Sequence, residues 1–294
     1  MSKKILVTGA GRGFGYLIVR TLLKNGHTVI ASMRELGGRN KSLADDLKRV
    51  GALVVEIDVT SDSSVERGVK MAQDQAGSLD VVVNNAGVGV LGIQETFTSD
   101  DWKRVFDVNV IGVQRVNRAV LPLMRKNGEG LLLHISSLLG RMTIPFYGPY
   151  NASKWALEAL AENYRTELSS FGVDVCVVEP GGYATSFMEN LVKPSDADRI
   201  TSYGAFANVP QRSLENFEKA LAANPAQNPQ NVANAVTQIV DTPAGQRPFR
   251  TVVDVLGMGA AIEPYNQQLA TLTAQVYNAF GMADTLKLKT KVAQ

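Results

Sequence analysis

Residues 3–34 read KKILVTGAGRGFGYLIVRTLLKNGHTVIASMR and predict a strand, a glycine-rich turn, a helix and a second strand. Four glycines alternate through the turn, at Gly9, Gly11, Gly13 and Gly15. Without Cβ atoms, a turn at a helix N-terminus lets backbone N–H groups approach a pyrophosphate. The alternative is a tight loop without a ligand, but the flanking strands and helix favour nucleotide binding. The spacing departs from G-x-G-x-x-G, because Phe14 takes the place of the last glycine.

The alternation of short apolar runs and helical segments continues along the chain. The later apolar runs are LVVEID, LDVVVNNAG, LLLHISS, VDVCVVEPGG and FRTVVDVLG. This pattern predicts an α/β fold, a single Rossmann-type doubly wound parallel sheet of about seven strands with helices on both faces. Right-handed crossovers place the carboxyl ends of all strands at one edge, where ligands bind.

We expect one dinucleotide-binding domain over residues 1–257, with a C-terminal helical extension over 258–294 packed on the same domain. Within the domain, residues 182–230 carry several Pro, Ser, Asn and Gly residues with only short apolar patches. Such a composition is typical of a mobile segment that closes over a substrate.

Composition narrows the classes of function. The 294 residues are 45% hydrophobic and 20% charged, with a formal net charge of +2 and no basic block, which argues against nucleic acid as a partner. No run approaches the roughly 18 apolar residues of a membrane span. A single cysteine, Cys176, excludes an internal disulfide, and with no signal peptide in the sequence this favours the cytoplasm. No metal is expected in the site.

A second stretch, SLLGRMTIPFYGPYNASK at residues 137–154, holds three reactive side chains. Tyr150 and Lys154 are four residues apart at the start of a helix-forming run and so share one helix face. Ser137 follows a predicted buried strand. These groups suit proton transfer to or from a carbonyl or alcohol oxygen. The alternative is an ordinary amphipathic helix with an exposed lysine and a half-buried tyrosine.

The phenol needs help to act as an acid or base at neutral pH. A free tyrosine titrates near ~10, so the site must supply about 3 pH units, or about 4 kcal/mol. One positive charge at ~4 Å in an effective dielectric of ~20 supplies about that much. We therefore expect Lys154 to lower the pKa of Tyr150, while Ser137 holds the substrate oxygen.

Taken in order, these motifs resemble those of the short-chain dehydrogenase/reductase family over nearly the whole length to about residue 257. They are Thr8-Gly9-x-x-x-Gly13-Phe14-Gly15, Asp58-Val59, Asn84-Asn85-Ala86-Gly87, Asn109-Val110-Ile111-Gly112, Ser137, Tyr150-x-x-x-Lys154, and Pro180-Gly181 with Thr185. The segment GPYNASKWALEALAENYRTEL followed by VEPGGYATSF is similar to the branch with 17β-hydroxysteroid and retinol dehydrogenase-like reductases.

The resemblance implies a role for each matched residue. Tyr150 would be the acid/base, Lys154 would also hold the nicotinamide ribose, and Asn109 would anchor a water chain that reloads the proton. The alternative for Asn109 is a bond to the backbone where a helix bends, and the alternative for Asp58 is a cap on the following turn. The residues expected to contact the cofactor are Gly9, Gly11, Arg12, Gly13, Phe14, Gly15, Ser32, Arg34, Asp58, Val59, Asn85, Ala86, Gly87, Lys154, Pro180, Gly181 and Thr185.

Charge indicates which nicotinamide cofactor is bound. An NAD site has an acid about 20 residues beyond the glycines, which binds the ribose 2′-hydroxyl. Here the second strand ends Ala31-Ser32-Met33-Arg34, with no acid before Glu35. Arg12 and Arg34 can pair with a 2′-phosphate, since the planar guanidinium fork suits phosphate. The alternative is two solvated arginines; the pattern favours NADP(H) over NAD(H).

The expected activity is NADP(H)-dependent interconversion of a carbonyl compound, ketone or aldehyde, and an alcohol by hydride transfer. Alternatives are a 3-oxoacyl thioester reductase and a non-catalytic NADP-binding regulator. The pocket candidates are mostly apolar, which predicts an apolar small-molecule substrate; they are Val88, Leu138, Phe146, Tyr147, Tyr183 and Phe187. His134 is expected to face away from Ser137, with Leu132. By the resemblance, helices around 100–127 and 150–171 would form a homodimer or homotetramer.

Overall fold

The computed structural model describes residues 2–290, and within them one parallel sheet forms the centre of the molecule. The strands are β1 (Lys4–Val7), β2 (Thr28–Met33), β3 (Leu53–Glu56), β4 (Val81–Asn84), β5 (Gly130–Ile135), β6 (Val173–Pro180) and β7 (Arg250–Val253). Their order across the sheet is β3-β2-β1-β4-β5-β6-β7, and every neighbouring pair is parallel. The predicted doubly wound fold is confirmed.

Helices cover both faces of this sheet. They are α1 (Gly13–Lys24), α2 (Lys41–Arg49), α3 (Asp62–Ala76), α4 (Ser99–Phe106), α5 (Gly112–Asn127), α6 (Gly148–Glu167), α7 (Ser186–Glu189), α8 (Ala197–Ser202), α9 (Val209–Ala222), α10 (Gln230–Asp241) and α11 (Gly259–Ala279). A π-helical turn, Asp107–Ile111, joins α4 to α5. None of the helices within residues 2–290 combines the length and the apolar character that crossing a membrane requires.

Two buried cores form because side chains alternate along each strand. Ile5 and Val7 of β1 face the core that α1 and α10 cover, whereas Leu6 faces the core covered by α3 and α5. Both faces of the central strands are therefore apolar, as expected of a parallel sheet between helical layers.

Local signals in the sequence set the helix ends. The Ser61 hydroxyl accepts a hydrogen bond from the N–H of Ser64 and caps α3, and Gly77 ends that helix with φ 79°. At the start of α4, Thr98 and Asp101 form a reciprocal capping box. Both N-terminal caps therefore come from side chains next to the first residue of the helix.

Segment 182–230 contains three helices, α7, α8 and α9, with a further helical turn at Gly204–Asn208. Its mobility and its closure over a substrate stay predictions. Leu214 and Leu221 lie two turns apart on the same face of α9 and are both buried, so this helix packs on the domain. At the other end, the helix predicted for the tail is α11, while part of the predicted basic end, residues 291–294, lies outside the described residues.

Candidate active site

Ser137, Tyr150 and Lys154 line one cavity at the carboxyl edge of the sheet. Ser137 comes two residues after β5, and its Oγ accepts a hydrogen bond from the N–H of Leu139 at 3.1 Å. Helix α6 begins at Gly148, two residues before the predicted start, so Tyr150 lies in its first turn and Lys154 in its second. The strand end and the helix start thus bring the three side chains together.

The pKa of Tyr150 is raised to about 12, because burial disfavours the phenolate more than the nearby Ser137 hydroxyl stabilises it. Burial also lowers the pKa of Lys154 to about 8, against the opposing effect of Glu158. Lys154 Nζ donates a hydrogen bond to the carbonyl oxygen of Ile135 at 2.8 Å and lies 5.6 Å from the centroid of the Tyr150 ring. The expectation that Lys154 lowers the pKa of Tyr150 is therefore wrong for this structure. At neutral pH the phenol keeps its proton and can donate it.

Asn109 lies in the π-helical turn and is fully buried. Its Nδ2 donates to the carbonyl oxygen of Val88 and to Ser153 Oγ, both at 2.9 Å, and its Oδ1 accepts from the N–H of Val88 at 2.9 Å. This is the backbone bonding at a helix bend that the sequence left open. It joins the loop after β4 to the first turn of α6, because Ser153 Oγ bonds the carbonyl oxygen of Tyr150 at 2.8 Å.

The glycine turn is held tightly against the loop that follows β4. Asn85 Nδ2 donates to the carbonyl oxygens of Thr8 and Gly9, at 2.9 and 3.1 Å. A Cβ on Gly15 would lie 2.4 Å from the Gly9 oxygen and 2.6 Å from Asn85 Nδ2, so only glycine fits. Arg12 at the N-cap of α1 makes no side-chain cap, which leaves the first N–H groups of that helix free of a side-chain partner at the cavity.

Three arginines lie at the far end of the cavity, where Arg12 and Arg34 were expected and Arg39 was not. Arg39 follows β2 in the loop RELGGRN and pairs with Glu35 at 2.8 Å. Its signal was a second basic residue in that loop, five positions beyond Arg34. Nearby, Asp58 Oδ1 accepts from the N–H and Oγ1 of Thr60, at 3.0 and 2.7 Å. Burial would raise the pKa of Asp58, but these hydrogen bonds together with the charges of Arg34 and Arg115 outweigh it and lower the pKa. Asp58 thus both lines the cavity and caps the turn.

Four predicted site residues do not line the cavity. Gly15 and Asn109 support it from behind, as described above. Ser32 is buried in β2, where side-chain alternation places it on the same face of the sheet as Ile30. Its carbonyl oxygen accepts a hydrogen bond from the N–H of Ala10 at 2.9 Å. Phe146 has φ 74°, and its ring packs against Phe206 at a centroid distance of 6.1 Å. These assignments of Ser32 to the cofactor and Phe146 to the pocket are corrected. The remaining predicted positions do line the cavity.

Apolar side chains form the wall beside Tyr150. The Phe187 ring lies 5.7 Å from the Tyr150 ring, and Leu138 and Val88 lie on the same wall. Helix α9 adds Phe217, which sequence reasoning missed because segment 182–230 has no clear periodicity. The cavity has a volume of about 540 Å³, within the range of sites that enclose small molecules.

His134 lies in β5 and is fully buried on the face of Leu132, as predicted. Its Nδ1 is 3.4 Å from Asn84 Nδ2. Burial and the charge of Lys154 lower the pKa of His134 to about 3, so the ring is neutral at physiological pH. It does not line the cavity.

The sheet has the strand order of a dinucleotide-binding fold, with a glycine turn after β1 and a Tyr–Lys pair at the start of α6. These features together are typical of a nicotinamide-dependent oxidoreductase. The chain belongs to the short-chain dehydrogenase family, whose model matches residues 3–196. It is 34% identical to a 3-ketodihydrosphingosine reductase of Bacteroides thetaiotaomicron, over 86% of this chain and 88% of that protein. It is 31% identical to human retinol dehydrogenase 8, over 82% of this chain and 78% of that protein.

Solved structures show the same fold. An actinorhodin polyketide ketoreductase variant with NADPH superposes with a TM-score of 0.72 and 27% identity, over 88% of this chain and 97% of that one. A short-chain dehydrogenase/reductase from Burkholderia phymatum with the same fold was solved with NAD. Solved structures with this fold thus contain either nicotinamide cofactor.

Proposed function

We propose that this protein is an NADP(H)-dependent oxidoreductase that interconverts an apolar ketone or aldehyde and an alcohol. The observation that carries the proposal is the meeting of Ser137, Tyr150 and Lys154 in one cavity with the glycine turn. When bound, NADPH supplies the hydride that adds to the carbonyl carbon. The protein supplies the matching proton, the charge and the fixed geometry.

Each catalytic side chain has one role in this proposal. Tyr150, protonated at neutral pH, donates a proton to the developing alkoxide. Ser137 holds the substrate oxygen by a hydrogen bond and fixes its distance from the phenol. Lys154, buried and charged below about pH 8, stabilises negative charge on the phenol oxygen after the proton leaves.

The cavity suits a dinucleotide phosphate at its other end. The N-terminus of α1 opens toward it beside the glycine turn, and a helix N-terminus favours a pyrophosphate. Arg12, Arg34 and Arg39 surround the region where the adenosine ribose of such a cofactor would lie. No acid precedes Glu35 at the end of β2, and Glu35 itself pairs with Arg39. Arg12 and Arg34 therefore favour the 2′-phosphate of NADP(H) over the free hydroxyl of NAD(H).

Apolar lining supports an apolar substrate. Leu138, Ile144 and Phe187 leave few polar partners beside the reacting oxygen. The similar proteins named for ketodihydrosphingosine and retinol act, by those names, on largely apolar molecules. A 3-oxoacyl thioester remains the second candidate, because another similar protein is named a ketoacyl reductase.

The test is oxidation of NADPH and of NADH, in parallel, followed at the reduced-nicotinamide absorbance band. The panel contains apolar ketones, aldehydes and 3-oxoacyl thioesters. Faster oxidation of NADPH by an apolar carbonyl compound is the expected result. Tight NADPH binding with no turnover across the panel would favour the regulator, and a preference for NADH would contradict the assignment of the arginines.

We further propose a cytoplasmic homodimer or homotetramer, as expected from the family resemblance. The long helices α5 and α6 would form the shared bundle. Light scattering at micromolar concentration is the measurement, and a monomer would contradict this proposal.

A further inference from the structure

A cluster of buried charged side chains lies next to the segments that carry Ser137 and Lys154, outside the cavity. We name it the Arg141 cluster; it consists of Arg141, Glu158, Glu162, Glu179 and Arg250, with Asn266. Glu158 and Glu179 are 1% and 0% exposed, and the side chains of Arg141 and Arg250 are 4% and 7% exposed. None of these residues lines the cavity.

The cluster joins elements that are distant in the sequence. Arg141 donates from Nε to Glu179 Oε1 at 3.0 Å and from Nη2 to Glu158 Oε2. Arg250 of β7 donates from Nε to Glu158 Oε2 at 3.1 Å. Asn266 of α11 donates from Nδ2 to Glu179 Oε2. The segment after β5, the end of β6, α6, β7 and α11 therefore meet at one point.

Arg141 ends the tight turn that begins at Ser137. The N–H of Gly140 donates to the backbone carbonyl oxygen of Ser137 at 2.9 Å, and the N–H of Arg141 donates to the carbonyl oxygen of Leu138 at 2.9 Å. A Cβ on Gly140 would lie 3.0 Å from Glu158 Cγ, so the turn packs directly on α6. Because the Arg141 guanidinium is held by two carboxylates, it fixes the turn and with it Ser137.

Glu179 holds the end of β6, on the other side of Arg141 from α6. It immediately precedes Pro180 and Gly181, which line the cavity at the end of β6. Glu158 lies one helical turn beyond Lys154 on α6. The same cluster thus touches the supports of Ser137, of Lys154 and of the loop after β6.

Stability alone does not explain such a cluster. Three carboxylates and two guanidinium groups are held in a mostly buried site, with Lys154 and Arg165 as further cations beside Glu158 and Glu162. Removing charges from water is costly, and apolar residues of similar volume often give equal or better stability. Burial and the neighbouring Glu158 raise the pKa of Glu179 to about 7, because both disfavour the ionised form of this carboxyl group. Among residues 2–290, no hydrogen-bond partner reaches the Glu158 Oε1 and Asn266 Oδ1 atoms. This arrangement suits precise placement better than it suits stability.

We propose that Arg141 is a positioning residue for the reaction and that Asn266 keeps it in place through Glu179, so that α11 supports catalysis without contacting the cavity. This inference rests on the function proposed above for Ser137, Tyr150 and Lys154. It gives the C-terminal helix a specific task in the active site.

The test compares Asn266→Leu with a matched control on the same helix, Asn278→Leu, which changes an exposed asparagine. Enzyme with bound NADPH is mixed with the fastest carbonyl compound of the panel, and the single-turnover rate constant of hydride transfer is measured. Losing a hydrogen bond to a carboxylate should lower that rate constant about 10-fold in Asn266→Leu. Asn278→Leu should leave it unchanged. A smaller amplitude with an unchanged rate constant would indicate a purely structural role and overturn the proposal.

Asn266→Asp adds a readout that a structural role would not give. The new carboxyl would face Glu179, which Arg141, Glu158 and Arg250 also face from the other elements. At low pH the two carboxyl groups can share a proton, whereas at high pH both ionise and repel. The rate constant relative to wild type should fall as pH rises through neutrality in Asn266→Asp and stay level in Asn266→Leu. Parallel profiles would contradict the proposal.

Amide hydrogen exchange tests, without a substrate, whether the Arg141 cluster holds residues 137–141 in place. In Asn266→Leu, amides of residues 137–141 and 181–182 should exchange about 10-fold faster than in wild type, while the glycine turn at 9–15 stays unchanged. Arg141→Met should show a larger increase if it folds. Unchanged exchange at 137–141 would overturn the role of the cluster, whether or not the wild-type protein oxidises NADPH. Absence of turnover with faster exchange would instead contradict the proposed function alone.

Discussion

The two ends of the cavity are built from side chains in opposite environments. At the catalytic end, Ser137, Tyr150 and Lys154 are 8%, 9% and 6% exposed. At the far end, Arg12 and Arg34 are exposed. Charges and hydrogen bonds act strongly where water is excluded and weakly where it is not. Substitutions of Ser137, Tyr150 or Lys154 at the buried end should therefore change turnover by large factors, and substitutions of the exposed arginines should change affinity by small ones.

The largest effect is expected at Tyr150. Tyr150→Phe removes the proton donor and keeps the ring, so kcat/KM for reduction should fall about 1,000-fold. NADPH affinity, measured by fluorescence titration, should change less than about twofold, since no binding contact is lost. Equal turnover in wild type and variant would break the contrast between the two ends.

The second largest effect is expected from raising the pH, which should lower kcat/KM for reduction. Lys154 loses its charge as pH rises through about 8, whereas Tyr150, with a pKa of about 12, stays protonated. The value of kcat/KM for reduction should therefore decline above about pH 8, by up to about 10-fold per unit. NADPH affinity is measured at each pH as the control. A profile that is flat to pH 10 would show that the Lys154 charge is not needed.

A smaller effect is expected at the exposed end. Arg34→Ala should weaken NADPH binding about fivefold, because an ion pair in solvent contributes about 1 kcal/mol. Binding of NADH, which lacks the 2′-phosphate, should not change. Arg67→Ala, which removes an exposed arginine of α3 outside the cavity, is the control. Equal losses for both cofactors would contradict the role assigned to Arg34.

The smallest effect is expected on the apolar wall. Phe187→Ala removes part of the surface that would contact an apolar ketone and should raise its KM about threefold. Phe206→Ala is the matched control, because Phe206 is 48% exposed and does not line the cavity. A larger change from Phe206→Ala than from Phe187→Ala would mean that the substrate lies elsewhere.

Local patterns explain what the sequence could predict. Strand and helix periodicity set the sheet, and caps such as Ser61 and Thr98 set the helix starts. Tyr150 and Lys154 were predictable because they are close in sequence on one helix. In all three cases the informative residues are neighbours along the chain.

What the sequence could not predict depends on contacts between distant residues. Arg141 and Asn266 meet at Glu179 from different elements, and no local pattern encodes such a meeting. The pKa of Tyr150 depends on how deeply the fold buries the ring, so the charge of Lys154 alone gave the wrong direction. In segment 182–230, α7 and α8 are short and have no buried residues, and α9 buries only Pro210, Leu214 and Leu221, which leaves little periodic signal.

The most direct test of the central claim follows the hydride itself. The enzyme is given NADPH carrying deuterium at the transferable position of nicotinamide C4, together with the fastest apolar carbonyl compound of the panel, and the alcohol is analysed by mass spectrometry. One deuterium on the carbinol carbon is predicted in the product of wild-type enzyme, with almost no product from Tyr150→Phe. Alcohol without deuterium, or equal product from Tyr150→Phe, would contradict hydride transfer with Tyr150 as the proton donor.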